Sequence, residues 1–135
     1  MDKTFHENFN YILSYLPSKI SESLKELPEN IVESVQEIRI RENRPVIIIT
    51  NSECLLLKSN GKLSNLLSPG CLSPSKNEIE KIIHKMCDYS MHNHYEDIKE
   101  GYITLHNGAR IGITGTAVYD KDKIKGIKDF DGLNI

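Results

Sequence analysis

Four arginines, Arg39, Arg41, Arg44 and Arg110, stand among thirteen lysines in this chain. A guanidinium is a planar fork of donors that meets a carboxylate or phosphate two bonds at a time, whereas an ammonium is a solvated point charge. None of the four falls in a stretch patterned as helix. Two readings follow: the arginines converge on one charged partner, or ion pairs with Glu37, Glu42 or Glu53 across a sheet consume them. A second set, His84, Asp88 and His92, recurs at i, i+4 and i+8. On one continuous helix these would share a face and could hold a metal. The helical pattern runs out near Asp88, however, and exposed polar residues at a helix end account for them equally well.

Other chemistry is missing from the pattern. No serine sits in a Gly-x-Ser-x-Gly turn, and no phosphate loop of the form Gly-x4-Gly-Lys-Ser/Thr is present. Cys54, Cys71 and Cys87 are odd in number and widely spaced, which suggests neither a disulfide framework nor a zinc site and fits a reducing cytoplasm. A net charge of −2 does not mark a nucleic-acid binder, and no aromatic residue stands beside Arg39–Arg44 for base stacking. There is no apolar run of the roughly 20 residues that a bilayer span needs, nor a signal-peptide segment at the start. Direct membrane insertion is therefore not expected. With 135 residues, 39% hydrophobic and 27% charged, the composition is that of one ordinary globular domain, with or without a small helical arm.

The elements that must position the arginines are legible in outline. Phe5, Phe9, Ile12, Leu13, Leu16, Ile20, Leu24 and Leu27 recur at helical spacing, and Pro17-Ser18 divides them into two short helices meeting near Leu16. Glu29–Ser34 is a turn or short helix. Gln36–Arg41 alternates as a half-buried strand with Ile38 and Ile40 inward and Glu37, Arg39 and Arg41 outward. Val46–Thr50 is a continuous β-branched run of buried character, and Glu53–Lys58 returns it. Ser75-Lys-Asn-Glu78 is a capping box ahead of Ile79, Ile82, Ile83, Met86 and Cys87, the firmest helix in the chain. A further helical piece at Asn93–Lys99 should end on Gly101. Tyr102–Leu105 and Ile111–Val118 form a hairpin around Asn107-Gly108, read as a type I′ turn. Within it, Gly112 and Gly115 mark a bulge, a bend or a close backbone approach. Asp120–Lys123 is a turn, Ile124–Asp129 a last strand, and Asp131-Gly132 a turn. Segregated strands and helices predict an α+β fold with N-terminal helices at 1–34, followed at 35–135 by a mostly antiparallel sheet that carries an amphipathic helix. Ending on Leu133-Asn-Ile135, the chain reads as cut from something longer.

Taken in order, Glu37-Ile-Arg-Ile-Arg41, Arg44-Pro45, Leu72-Ser-Pro-Ser75, Gly101-Tyr-Ile-Thr104, Gly108-Ala-Arg-Ile-Gly112, Gly115 and Ile127-Lys-Asp-Phe-Asp-Gly-Leu-Asn-Ile135 resemble the stage III sporulation protein AA family over nearly the whole chain. That family is similar to the ring-forming ATPases of type II and type IV secretion, whose N-terminal domain is PAS-like. Those relatives carry an Arg-Pro after an early strand and a Gly-x-Arg before a late one, with a second arginine two residues further on; here Gly112 occupies that place. The resemblance implies that residues 35–135 are PAS-like and that an ATPase module begins just past Ile135. It implies no cofactor in this chain, but ATP and Mg in the full-length protein. Arg110 first, then Arg39, Arg41 and Arg44, become candidates for an interface or nucleotide contact. The implied partners are the protein's own ATPase domain, neighbouring subunits of a ring homo-oligomer, and a membrane protein of the sporulation channel. The implied place is the mother-cell cytoplasm, peripheral to the membrane through partners. A PAS-like module binding a small ligand or a protein is the alternative, and a ligand would need an apolar pocket between sheet and helix.

Overall fold

The structure, a computed structural model, describes residues 3–135. Helix α1 (Lys3–Leu13) and helix α2 (Ser18–Lys25) are separated by a four-residue elbow ending at Pro17, and Pro28 stands before α3 (Glu29–Ser34). Proline suits these two positions because it has no N–H to donate and disfavours helix in the residue before it. Leu13, Leu16, Ile20, Leu24, Leu27 and Val32 are buried. The same apolar cluster continues into the sheet. A polar lock reinforces it: Ser23, 2% exposed, donates from Oγ to the Lys58 carbonyl at 2.5 Å and accepts from the Gly61 N–H at 2.9 Å.

The strands are β1 (Val35–Arg41), β2 (Ile47–Thr50), β3 (Cys54–Leu57), β4 (Leu63–Ser64), β5 (Tyr102–Thr104), β6 (Arg110–Asp120) and β7 (Lys123–Asn134). They form one seven-stranded sheet in the order β4-β3-β2-β1-β7-β6-β5, with every neighbouring pair antiparallel. Two stretches of chain, each contiguous in sequence, therefore meet at the β1–β7 seam. There Arg39, Ile40 and Arg41 face Asn134, Leu133 and Gly132, and Ile38 and Ile135 exchange backbone bonds of 2.9 Å. The α+β expectation holds.

Between β4 and β5 lie α4 (Lys76–Met86), a 3-10 turn at Met91–His94 and α5 (Tyr95–Lys99). The capping box forms as read: Ser75 Oγ accepts from Glu78 N at 3.1 Å, and Glu78 accepts from Ser75 N at 3.0 Å. Ile79, Ile82, Ile83 and Met86 then bury one stripe of α4 in the core that also takes Ile38, Ile40, Ile48, Ile103, Ile111 and Leu133. Each such side chain contributes about 1.5–3 kcal/mol by leaving water. Helix α5 ends as expected on Gly101, whose φ of 93° no other residue type adopts cheaply.

Two turn expectations need correction, while the turn read at Asp120–Lys123 is present. The β5–β6 hairpin closes with Gly108 N–H to Leu105 O at 2.9 Å and Leu105 N–H to Ala109 O at 2.8 Å, and Gly108 has φ 87° while Asn107 has no positive φ. That is a three-residue loop with a glycine bulge, not a type I′ turn, because Leu105 and Ala109 must share a face. The I′ geometry instead occupies the β6–β7 turn, where Lys121 and Asp122 have φ of 49° and 70°. Finally, Asp131-Gly132 is not a turn: β7 runs through it, and a Cβ on Gly132 would lie 2.7 Å from each of Arg41 Cδ, Ile40 O and Thr114 Oγ1. This glycine gives room rather than curvature. Gly115 has the role read for it. The β6–β7 register slips between Thr114 and Thr116, and a Cβ at Gly115 would lie 2.7 Å from the Lys128 carbonyl.

Candidate functional site

Helices cover one face of the sheet. The other face carries every second residue of each strand, and its side chains at the β1–β7–β6 centre are half-buried or exposed, with Gly132 buried beneath the stem of Arg41. Register puts Arg39 and Arg41 of β1, Asn134 and Gly132 of β7, Arg110, Gly112 and Thr114 of β6, and Tyr102 of β5 on this open face. Three of the four sequence-derived candidates, Arg39, Arg41 and Arg110, are thus brought to one surface. Arg110 stands two strands from Arg39, roughly 10 Å across the sheet. Arg44 lies apart in the β1–β2 connection, lining a recess with Arg41, Glu42 and Asp131.

Their environments differ. Arg39 donates from Nη2 to Glu37 at 3.1 Å, so this one residue is ion-paired with an expected glutamate, though along β1 rather than across the sheet, while its Nε is buried without a partner. Arg41 is spent on the fold. Its Nη1 donates to the carbonyls of Ile40 at 2.9 Å and Leu133 at 3.0 Å, and its Nη2 donates to Asn134 Oδ1 at 2.8 Å. Burial, then the neighbouring charge of Arg39, holds Arg41 below the ordinary arginine pKa against the opposing pull of Asp131 and Glu37. Arg110 is exposed, and its guanidinium lies 4.7 Å from the centre of the Tyr102 ring. No carboxylate within 4 Å neutralises it among the described residues. An aromatic face holds a cation without discharging it, so Arg110 stays presented to an incoming anion.

Sequence reading missed Tyr102, Asn134 and Gly132. Tyr102 and Arg110 meet because Thr104 pairs with Arg110 and Tyr102 with Gly112, a register that the three-residue loop sets. The other candidate set disperses. Helix α4 stops at Met86, Asp88 turns left-handed with φ 52°, and its carboxylate pairs with His106 at 2.8 Å. Among the described residues no group of three metal-ligating side chains gathers, and no helix is long and apolar enough to cross a membrane.

The geometry defines an α+β domain with a helix-covered antiparallel sheet and an open, arginine-bearing face. Residues 6–135 match the family described as sporulation stage III, protein AA, and the chain belongs to that family. Over 126 residues it is 29% identical to the stage III sporulation protein AA of Bacillus subtilis (strain 168), an alignment covering 93% of this chain and 37% of that protein. The chain thus spans little more than a third of that relative's length. No solved structure matches it.

Proposed function

We propose that this chain is the N-terminal, non-catalytic domain of a sporulation ATPase resembling the secretion ATPases, and that its open sheet face docks the protein's own ATPase module or that of a neighbouring subunit in a ring. In this reading ATP and Mg bind the module, and the domain couples hydrolysis to the mother cell–forespore channel through a membrane protein of that channel. The observation that carries it is Arg110, poised on Tyr102 beside Arg39 on a face that nothing in the described chain covers. Apolar Ile47, Ile49 and Leu56 occupy the same face of β2 and β3, where a solvated sheet would carry polar residues. A partner surface combining carboxylates with apolar side chains satisfies both halves.

The test is ATP turnover of the longer protein, extended through the ATPase module, with and without Arg110→Ala. Loss of roughly tenfold or more in turnover with the fold intact is expected if the arginine serves the catalytic interface. Unchanged turnover overturns that assignment and moves the search to the channel's membrane components.

A further inference from the structure

Helix α5, the 3-10 turn before it and the β6–β7 ribbon flank an open cleft of about 340 Å³. Its walls are apolar: Met91 and Ile98 on the helical side, Val118 and Ile127 on the ribbon. Two cationic or protonatable groups, Lys125 and His92, complete the lining together with Tyr95. Neither Lys125 nor His92 has an acidic partner among the described residues, and the nearby Glu96 is engaged by Lys99 at 3.6 Å. The ribbon is bulged here. Val118 pairs with Gly126 and Tyr119 with Ile124, leaving Lys125 out of the ladder. Bulges of this kind re-aim one side chain at the expense of regular pairing. Gly126 lines the same space, and a Cβ added to it would meet nothing within 4 Å.

We propose that this cleft binds a small amphipathic carboxylate, a short unbranched acyl chain whose tail lies on Met91, Ile98, Val118 and Ile127 and whose head meets Lys125. The volume lies at the small end of ligand sites, about 300–1,000 Å³, so a single short chain fits, and a mostly apolar lining with one lysine offers little to a phosphate or a base. An apolar floor with an unopposed, exposed lysine at its rim selects an anionic head over a cationic one, and no buried polar side chain lines the floor to hold a polar tail. The site lies on the helical side of the ribbon and is independent of the arginine face.

The experiment titrates decanoate, octanoate and decyltrimethylammonium into the 135-residue chain and follows the amide NMR spectrum. Saturable decanoate shifts confined to Met91–Ile98 and Val118–Ile127 are expected. Octanoate, two methylenes shorter, should bind about tenfold more weakly. Gly126→Leu fills the cleft from within and should abolish the shifts. Lys125→Glu should weaken decanoate about two- to fivefold and leave decyltrimethylammonium no weaker. The proposal is overturned if decanoate shows no saturation, if its shifts map elsewhere, or if decyltrimethylammonium binds as well as decanoate. Should Gly126→Leu perturb the fold, equal decanoate binding by Lys125→Glu and the parent chain overturns it alone.

Discussion

Replacing Gly61 by alanine should do far more damage than its size implies. A Cβ there would sit 2.5 Å from the Glu26 carbonyl oxygen and 2.6 Å from its carbon, at the end of α2, and φ at Gly61 is 70°. The left-handed conformation costs an alanine about 1 kcal/mol. Relieving the overlap forces the end of α2 away from the 3-10 turn at Ser59–Gly61, at about 1–3 kcal/mol for an overpacked contact. That movement also breaks the bonds from Ser23 Oγ to Lys58 O and from Gly61 N–H to Ser23 Oγ, at about 1 kcal/mol each. Together these make about 4–6 kcal/mol, set against a total of about 5–15 for a domain this size, or on the order of 15–20 °C in Tm. Urea unfolding followed by circular dichroism measures it as a drop in midpoint at constant slope. Gly101→Ala is the control, because φ there is 93° but nothing lies within 4 Å of the added carbon. It should cost only the conformational term, about 1 kcal/mol. If Gly61→Ala costs no more than Gly101→Ala, the N-terminal helices are not locked to the sheet as described.

Three further outcomes follow from the sheet and the core. Arg41→Ala should lower stability by about 2–3 kcal/mol, because three acceptors on both sides of the seam lose a charged donor, and Arg41→Lys should recover little since one ammonium cannot span them; urea midpoints of both variants decide. Cys87, fully buried, has its thiol pushed up by burial from 9.0 to about 11, so at neutral pH an aromatic disulfide reagent should titrate exposed Cys54 rapidly and leave Cys87 unreacted until the chain unfolds. A raised pKa means that the fold favours the neutral thiol. This contribution is whole below pH 9.0 and disappears as pH climbs through about 11, so unfolding free energy should decline over that window, and less steeply in Cys87→Val.

Local chemistry made much of this fold legible. Proline at 17 and 28, the capping box at Ser75 and the stripe from Ile79 to Met86 act within a turn or two of themselves, and tertiary contacts only reinforce them. The turns were harder. Asn107-Gly108 favours a two-residue loop, but that loop would set Leu105 opposite Arg110 and turn Leu105 away from the core. The alternation of Ile103 and Leu105 against Ala109, Ile111 and Ile113 needs the longer loop, so the signal was present in the pairing of two strands rather than in the dipeptide. Gly132 was unreadable for a different reason. Its purpose is to clear space for the stem of Arg41, 91 positions away in the sequence (132 minus 41), and no local pattern carries that information. The candidate site divides the same way: alternation placed Arg39 and Arg41 outward, whereas Tyr102 beneath Arg110 emerged only from the register.

The seam between β1 and β7 also bears on how the chain is built. Each half of the sheet is sequence-local, β1 to β4 on one side and β5 to β7 on the other, and only a short ladder, stitched by Arg41, joins them. During synthesis the first half can condense on α2 and α3 while β7 has yet to emerge, so closure of the seam is a late event that awaits the distant segment. The exposed stretch between β4 and α4, where Leu66 and Leu67 are 77% and 76% accessible, is the natural place to divide the molecule. Two fragments cut there hold complementary halves of one sheet, and their reassociation would rebuild both the seam, with Arg41 as the clasp, and the core that α4 shares with β1 and β2.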